Sequence, residues 1–186
     1  MLFPTPVYAE MTQKGLDKAR KGHTLSRITM SLFYATDFAD RLENQIIPAL
    51  QAGFIVLSDR YFYSIMARDI ARGADPDWAH QVYGFALKPD IILYLKADVM
   101  DLVSRLIHGR GLNYWEAGMD IHPSDNLYDS FISYQSELSL IFDQLAKDYG
   151  FETIDAGKPV MEVFAELQNK IRDLLEKEQP IIGENY

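Results

Sequence analysis

Apolar residues recur every three or four positions between residues 28 and 50, and this spacing predicts a long amphipathic helix. The stripe consists of Ile28, Leu32, Ala35, Ala39, Leu42, Ile46 and Leu50. Gly53 is expected to end the helix, because glycine readily adopts the left-handed backbone that closes many helices. The following segment, 54–59, opens with four apolar residues and ends in two polar ones. A strand buried on both faces shows such a run, so 54–59 predicts a central parallel strand.

The rest of the chain alternates helical periodicity with short apolar runs. Helices are predicted at 60–72, 76–87, 98–106, 131–145 and 159–176, and further strands at 90–95 and 151–155. Asp75 and Asp98 are expected to cap helices, and Gly150 to end one. Strands separated by helices predict an α/β fold with three layers, in which helices flank a parallel sheet.

Two segments interrupt this order. Residues 109–127 contain three glycines and one proline without a regular apolar period, which predicts a loop or lid. Residues 179–186 are expected to form a loose tail. The chain shows no repeat, low-complexity tract or long polar linker, so a single domain over 1–186 is expected.

Composition excludes several classes of function. The chain has 18 basic and 27 acidic residues and a net charge of −9, which argues against broad binding to nucleic acid or an anionic membrane. It contains no cysteine, so disulfides, thiolate metal sites and cysteine catalysis are excluded. No apolar run approaches the roughly 20 residues that span a bilayer, and residues 1–6 lack a signal-peptide pattern. A soluble, cytoplasmic protein is expected.

Candidate binding residues follow the predicted strands, because ligands of parallel sheets bind at the carboxyl ends of the strands. They are Asp59, Arg60 and Tyr61 after the first strand, the stretch after Leu95 at the second, and Asp155, Ala156 and Gly157 at the last. The Asp59 carboxylate is suited to orient a magnesium shell, and the Arg60 guanidinium to clamp a phosphate. The alternative is a structural ion pair between these two side chains.

The long helix carries a second candidate group. Tyr34, Phe38 and Arg41 fall at positions i, i+4 and i+7 on one helical face. Aromatic rings stack on a flat base, and an arginine one turn later is placed to hold a phosphate. The alternative is that both aromatic residues belong to the core and that Arg41 pairs with Asp37 one turn back.

Two arginines, Arg105 and Arg110, flank the start of the irregular segment. Permanent positive charges on a mobile loop suit a phosphoryl-transfer lid, because charge develops on the transferred group. The alternative is a pair of solvated side chains that interact with a helix dipole. The four histidines show no ligand spacing, and the serines have no Gly-x-Ser-x-Gly setting, so neither a metal centre of histidines nor a hydrolase triad is supported.

Taken in order, these segments resemble the thymidylate kinase family. The resemblance is carried by 32–37, 46–53, 54–61, 89–95 and 153–156, and it extends from about residue 24 to 176. Its most specific element is Asp59-Arg60-Tyr61 after the preceding Pro-Ala-Leu-x-x-Gly. The resemblance implies a P-loop kinase-like fold, a homodimer, magnesium, and transfer of the γ-phosphoryl group of ATP to a nucleoside monophosphate.

The resemblance also suggests roles for individual residues. Catalytic roles are expected for Asp59, Arg60, Arg105 and Arg110, and Asp59 is also the expected metal ligand. Contacts with the substrate are expected for Tyr34, Phe38, Arg41, Tyr61, Arg68 and Asp69. Contacts with the cofactor are expected for Asp155, Ala156 and Gly157. Phe38 stands where the family usually has an arginine for the acceptor phosphate, and Arg41 is a possible substitute. Arg68 and Asp69 stand where the family usually has tyrosine and glutamine near the base, which places thymine specificity in question.

The sequence also departs from the family pattern at the segment that binds the phosphoryl donor. Family members begin with a strand, a Walker loop and a helix, but Gly-x-x-x-x-Gly-Lys-Ser/Thr occurs nowhere in this sequence. The loop's amides and lysine hold the triphosphate, so residues 1–186 alone are expected to be inactive. In the family this strand lies between those predicted here at 54–59 and 90–95. Three accounts stay open: a longer chain, a strand from another polypeptide, or direct pairing of the two strands.

Two functions follow from these observations. The first is a nucleoside monophosphate kinase-like phosphotransferase, whose partners are a nucleoside monophosphate and a nucleoside triphosphate, with neither nucleic acid nor membrane. The alternative is a non-catalytic nucleotide-binding or interaction module that has lost the loop.

Overall fold

The computed structural model describes residues 25–107, 109, 111–121 and 126–178, and the predicted tail 179–186 lies outside these residues. The helices are α1 (Arg27–Arg41), α2 (Ile47–Gln51), α3 (Tyr63–Ala71), α4 (Pro76–Val82), α5 (Val99–Ile107), α6 (Leu127–Tyr149) and α7 (Val160–Glu178), with a π-helical segment at Leu42–Ile46. The strands are β1 (Leu93–Lys96) and β2 (Glu152–Asp155). The chain divides into two compact units, Met1–Lys88 and Pro89–Tyr186.

The predicted long helix is present in the first unit, but it is not regular throughout. Its backbone widens into π-helical geometry at Leu42–Ile46, directly before Pro48. Proline has no N–H to donate and its ring collides with the carbonyl group four residues back, which gives a local reason for the wider turn. Gly53 then adopts a φ of 80° and ends the helical stretch as expected.

The strand prediction for 54–59 is wrong. These residues form no strand, and Phe54, Ile55 and Leu57 are 53%, 76% and 88% exposed. An apolar run becomes a strand only when another strand satisfies its backbone groups. Within the described part of the chain the sheet contains only β1 and β2. Direct pairing of 54–59 with the segment at 90–95 is therefore also wrong.

The start of α4 was predicted correctly from its cap, but its end was not. Asp75 caps α4 as predicted, because its carboxylate accepts a hydrogen bond from the Trp78 amide at 2.9 Å. The prediction that this helix reaches Leu87 is wrong, since α4 ends at Val82. Gly84 disfavours continuation of the helix. The Tyr83 ring is buried between Phe38 and Phe62, which holds the chain in this turn.

The second unit contains a small parallel sheet and three helices among its described residues. β1 pairs with β2 in parallel, with Leu93 opposite Glu152 and Lys96 opposite Asp155. The α/β character is thus confirmed, but the sheet has two described strands where three were predicted. Asp98 accepts a hydrogen bond from the Met100 amide at 2.7 Å at the start of α5.

The irregular segment 109–127 contains neither helix nor strand in its described residues before α6. It nevertheless has apolar anchors, because Ala117 is fully buried against Val103 and Phe131. The Ser130 hydroxyl donates to the Ala117 carbonyl oxygen at 2.6 Å. This part of the segment is therefore fastened to α5 and α6, and its role as a lid stays a prediction.

None of the helices that the structure describes combines the length and the apolar character of a membrane span.

Candidate functional site

The turn at residues 59–61 has an uncommon backbone. Arg60 and Tyr61 have φ angles of 68° and 38°, in a left-handed region that costs non-glycine residues about 1–2 kcal/mol. The Tyr61 hydroxyl donates to the Leu87 carbonyl oxygen at 3.1 Å, which helps to hold the turn. Asp59 and Arg60 are both exposed. The turn therefore presents a carboxylate and a guanidinium to solvent on neighbouring residues.

An aromatic cluster supports this turn from within the first unit. Phe38 on α1 packs edge-on against Tyr61 with ring centroids 4.9 Å apart, and it lies 6.0 Å from Tyr83. Phe38 is only 3% exposed, so it belongs to the core, as the alternative interpretation of the α1 aromatics expected. Burial also raises the pKa of Tyr61. The cluster fixes the inner side of the turn and leaves Arg60 on the outside.

Arg41 and Tyr34 are the other residues of α1 that were predicted to contact substrate, and their surroundings differ from those of Phe38. Arg41 forms an ion pair with the buried Asp37, with Nη2 and Oδ2 2.8 Å apart, which is again the alternative interpretation. Tyr34 is half-buried. Phosphate binding by Arg41 stays a prediction.

The half-buried Asp69 and the buried Tyr83 are two further polar residues of the first unit that interact electrostatically. Asp69 is half-buried on α3, and burial raises the pKa of its carboxyl group to about 6, against smaller opposing effects of Ser31 and Arg72. Burial also raises the pKa of Tyr83, and the charge of Asp69 adds to this effect. Arg68 is half-buried beside Asp69 on the same helix. Tyr83 was not among the residues selected by sequence, where its only signal is an aromatic side chain next to the helix-breaking Gly84.

The raised pKa of Asp69 predicts a pH-dependent stability. Because the folded carboxyl titrates near 6 rather than 3.8, its ionisation opposes folding, and this penalty grows as pH rises from about 4 to above 6. Asp69→Asn should therefore increase the free energy of unfolding at pH 7.5 by roughly 1–3 kcal/mol. The gain should shrink towards zero at pH 4. Urea denaturation at both pH values, with the exposed Asp90→Asn as control, measures it, and a gain independent of pH would contradict the prediction.

The carboxyl ends of β1 and β2 form the candidate site of the second unit. A cleft of about 480 Å³ lies there, lined by Lys96, Ala97, Asp98, Val99, Ser139, Thr153 and Asp155. Arg105 donates to the Ala156 carbonyl oxygen at 2.7 Å, which brings two predicted residues together. Asp155 accepts a hydrogen bond from the Gly157 amide at 2.8 Å. Arg110 lies outside the described residues.

Lys96 is a charged residue of this cleft and opens the stretch after Leu95, of which the sequence pattern named no individual residue. Its ammonium group lies 2.7 Å from both carboxylate oxygens of Asp143, and this hydrogen-bonded contact raises the pKa of Lys96. The available signal was its position directly after the strand predicted at 90–95, at the end where ligands of parallel sheets bind.

The described residues contain no group of three or more histidine, aspartate or glutamate side chains arranged to hold a metal. Magnesium in phosphoryl-transfer sites is commonly held by one or two carboxylates together with substrate phosphates and water. A single exposed carboxylate such as Asp59 fits that mode of binding, and its role as a ligand stays a prediction.

Comparison with known proteins adds independent information. A family model described as thymidylate kinase matches residues 6–167. A probable thymidylate kinase 2 of Saccharolobus solfataricus is 36% identical over 163 residues, which cover 87% of this chain and 76% of that protein. A probable thymidylate kinase of Thermococcus kodakarensis is 40% identical over 85 residues, 46% of this chain and 42% of that protein. A thymidylate kinase of Brachyspira hyodysenteriae is 26% identical over 145 residues, 77% of this chain and 64% of that protein. Coverage of the last two relatives is below two thirds of their length.

Proposed function

The chain belongs to the thymidylate kinase family, and from this membership we propose that it acts in phosphoryl transfer from ATP to a nucleoside monophosphate. An oxygen of the acceptor phosphate attacks the γ-phosphorus. The bond to the oxygen bridging the β- and γ-phosphates breaks, and ADP leaves. Membership of this family implies the P-loop kinase fold, which is built on a parallel sheet. The small sheet of the second unit is also parallel.

The observation that carries this proposal is the turn at 59–61. The left-handed backbone of Arg60 and Tyr61 directs one side chain into the aromatic cluster and leaves the other exposed. Strained non-glycine backbone of this kind is concentrated at functional sites. The backbone of Arg60 is thereby fixed, while its side chain is accessible to the acceptor phosphate. A guanidinium binds a phosphate with two parallel hydrogen bonds.

The remaining groups have complementary roles in the proposal. When bound, magnesium neutralises charge on the phosphates, and Asp59 is the carboxylate that would hold it. Arg105 lies beside the end of β2 and contributes a positive charge for the donor phosphates, next to Asp155 and Gly157. The homodimer implied by the resemblance and the cytoplasmic location expected from composition and the lack of a signal-peptide pattern remain predictions.

Arg60→Ala should weaken binding of a nucleoside monophosphate by roughly 1.5–3 kcal/mol, because it removes a charge-assisted contact to the phosphate. Binding of the corresponding nucleoside should change much less, since it has no phosphate. Isothermal titration calorimetry of thymidine monophosphate and thymidine with residues 1–186 measures both.

The matched control is Arg172→Ala, which removes an exposed arginine from α7 in the other unit. It should leave both affinities unchanged. Equal loss of nucleoside and monophosphate binding in Arg60→Ala would exclude the phosphate-clamp role, and absence of any monophosphate binding by the unaltered chain would contradict the proposed function.

A further inference from the structure

The side chain of Tyr61 is held by two kinds of contact within the first unit. Its hydroxyl donates to the Leu87 carbonyl oxygen at 3.1 Å, and its ring lies edge-on against Phe38 at a centroid distance of 4.9 Å. The rings of Phe62 and Tyr63 lie 5.1 Å and 6.0 Å away. A phenol carries one O–H donor, and here that donor is used inside the protein. These contacts favour a structural task for Tyr61 over the substrate contact expected from the sequence.

The preceding residue, Arg60, has an exposed side chain on a backbone of uncommon geometry. Its φ angle of 68° and the φ angle of 38° at Tyr61 both lie in the left-handed region. Residues other than glycine stay in this region only where surrounding contacts hold them. The Arg60 carbonyl oxygen accepts from the Ser64 amide at 3.4 Å, which is a long hydrogen bond at the start of α3. The Tyr61 side chain supplies the tertiary contacts that hold the two residues.

The two contacts of Tyr61 come from different parts of the chain. Phe38 lies on α1 and Leu87 follows α4, so the ring and the hydroxyl are held by segments that are distant in sequence. A side chain fixed at both positions cannot rotate about its χ1 torsion without losing one contact. The peptide unit that joins Tyr61 to Arg60 is planar, and it therefore keeps one orientation. This orientation limits the directions in which the Arg60 side chain can leave the turn.

We propose that Tyr61 is a positioning residue, which holds Arg60 in the left-handed turn so that its guanidinium faces the acceptor phosphate. The Tyr61 hydroxyl acts through Leu87 and the ring through Phe38, and neither contacts the substrate. This inference rests on the proposed function and adds to it the residue that prepares the phosphate clamp. An arginine whose backbone is already fixed loses less conformational freedom when it binds, which increases its affinity.

Removal of the Tyr61 hydroxyl should affect binding more than stability. The hydrogen bond between Tyr61 and Leu87 is exposed, so water can satisfy the Leu87 carbonyl oxygen once the hydroxyl is gone. The turn can then relax towards a commoner φ, which offsets part of the lost contact. The hydrogen bonds from a guanidinium to a phosphate need close alignment. They weaken when the orientation of Arg60 is no longer fixed.

Isothermal titration calorimetry of thymidine monophosphate and thymidine with residues 1–186 tests the proposal. Tyr61→Phe, which removes only the hydroxyl, should weaken monophosphate binding about three- to tenfold. Tyr61→Leu, which also removes the ring, should weaken it further. In Tyr61→Phe the affinity for thymidine and the midpoint of urea denaturation should change little, because neither depends on the direction of the Arg60 side chain.

A double-mutant cycle with Arg60→Ala identifies the residue through which Tyr61 acts. Without the guanidinium there is nothing to position, so Tyr61→Phe in the Arg60→Ala background should cause no further loss of monophosphate affinity. NMR order parameters add a readout without ligand, because the amides of residues 60 and 61 should become more mobile on the ps–ns timescale in Tyr61→Phe. Tyr128→Phe removes an exposed tyrosine hydroxyl from α6 in the other unit and should leave all of these quantities unchanged.

The outcomes separate this inference from the proposed function. Four results would overturn the positioning role and leave the phosphate clamp standing. They are an unchanged monophosphate affinity in folded Tyr61→Phe, an equal loss for thymidine and its monophosphate, the same loss in the Arg60→Ala background, and unchanged order parameters at residues 60 and 61. If Arg60→Ala leaves monophosphate affinity unchanged, or if no monophosphate binds, the clamp and the positioning role fail together. Circular dichroism of each variant verifies its folding.

Discussion

Residues 1–186 joined to an upstream strand, Walker loop and helix from a thymidylate kinase should transfer phosphoryl groups from ATP at least about 10²–10³ times faster than residues 1–186 alone. In the proposed function Asp59 holds the metal and Arg60 and Arg105 contact phosphates, but the chain contains no Walker sequence to hold the β-phosphate of the donor. A single preorganised donor such as the loop lysine contributes about 3–4 kcal/mol to transition-state stabilisation. The loop amides add to this contribution.

A coupled assay of ADP release with thymidine monophosphate measures the effect. Two controls exclude a contaminating kinase: Arg60→Ala in the extended polypeptide, and alanine in place of the added loop's lysine. Both should abolish the gain. Turnover of residues 1–186 alone in the ordinary kinase range of roughly 1–100 per second, lost in Arg60→Ala, would show that the chain needs no Walker loop.

Gly118→Ala should destabilise the chain by roughly 2–4 kcal/mol. A Cβ atom at this position would lie 2.5 Å from Cγ of Tyr134, and the φ angle of 64° disfavours any side chain. Tyr134 is fully buried on α6, so its ring has little room to move. The substitution combines overpacking with a left-handed backbone, and urea denaturation measures the change in free energy of unfolding.

Gly150→Ala is the matched control for the backbone contribution. Gly150 has a similar φ of 69°, but a Cβ atom there would meet nothing within 4 Å. It should cost only about 1–2 kcal/mol. An equal loss of unfolding free energy at the two glycines would contradict the prediction. It would mean that a Cβ atom at Gly118 does not collide with Tyr134 and that the irregular segment packs differently from the structure described.

Several features of the fold could be predicted because their causes are local. Asp75 and Asp98 accept hydrogen bonds from amides two or three residues ahead, so the cap and its partners lie in one short segment. Gly150 ends α6 through its own left-handed backbone. The strands at 90–95 and 151–155 were located within a few residues, and only their exact bounds, Leu93–Lys96 and Glu152–Asp155, differ.

Some residues of the candidate site could likewise be predicted from the local sequence, and the surroundings of others could not. Asp59 and Arg60 were identified from their position after an apolar run, and the structure leaves both exposed on an uncommon turn. The strand assigned to that run was wrong, because strand formation depends on a partner that the local sequence does not specify. For Arg41 the pattern left open a phosphate ligand or an ion pair with Asp37. The structure shows the ion pair, which compensates the charge of a buried carboxylate.

By itself, the sequence determined most of the alternation of helices and strands, most helix ends and the choice of the turn at 59–61 as a candidate site, because periodicity, caps and charge are properties of short segments. Tertiary structure alone decided that Phe38 is core, that Ala117 anchors the irregular segment, and that the charge of the half-buried Asp69 acts on the buried Tyr83. These features depend on contacts between residues that are distant in the chain. Burial and pairing are set by which surfaces meet when the helices pack, and no short segment contains that information.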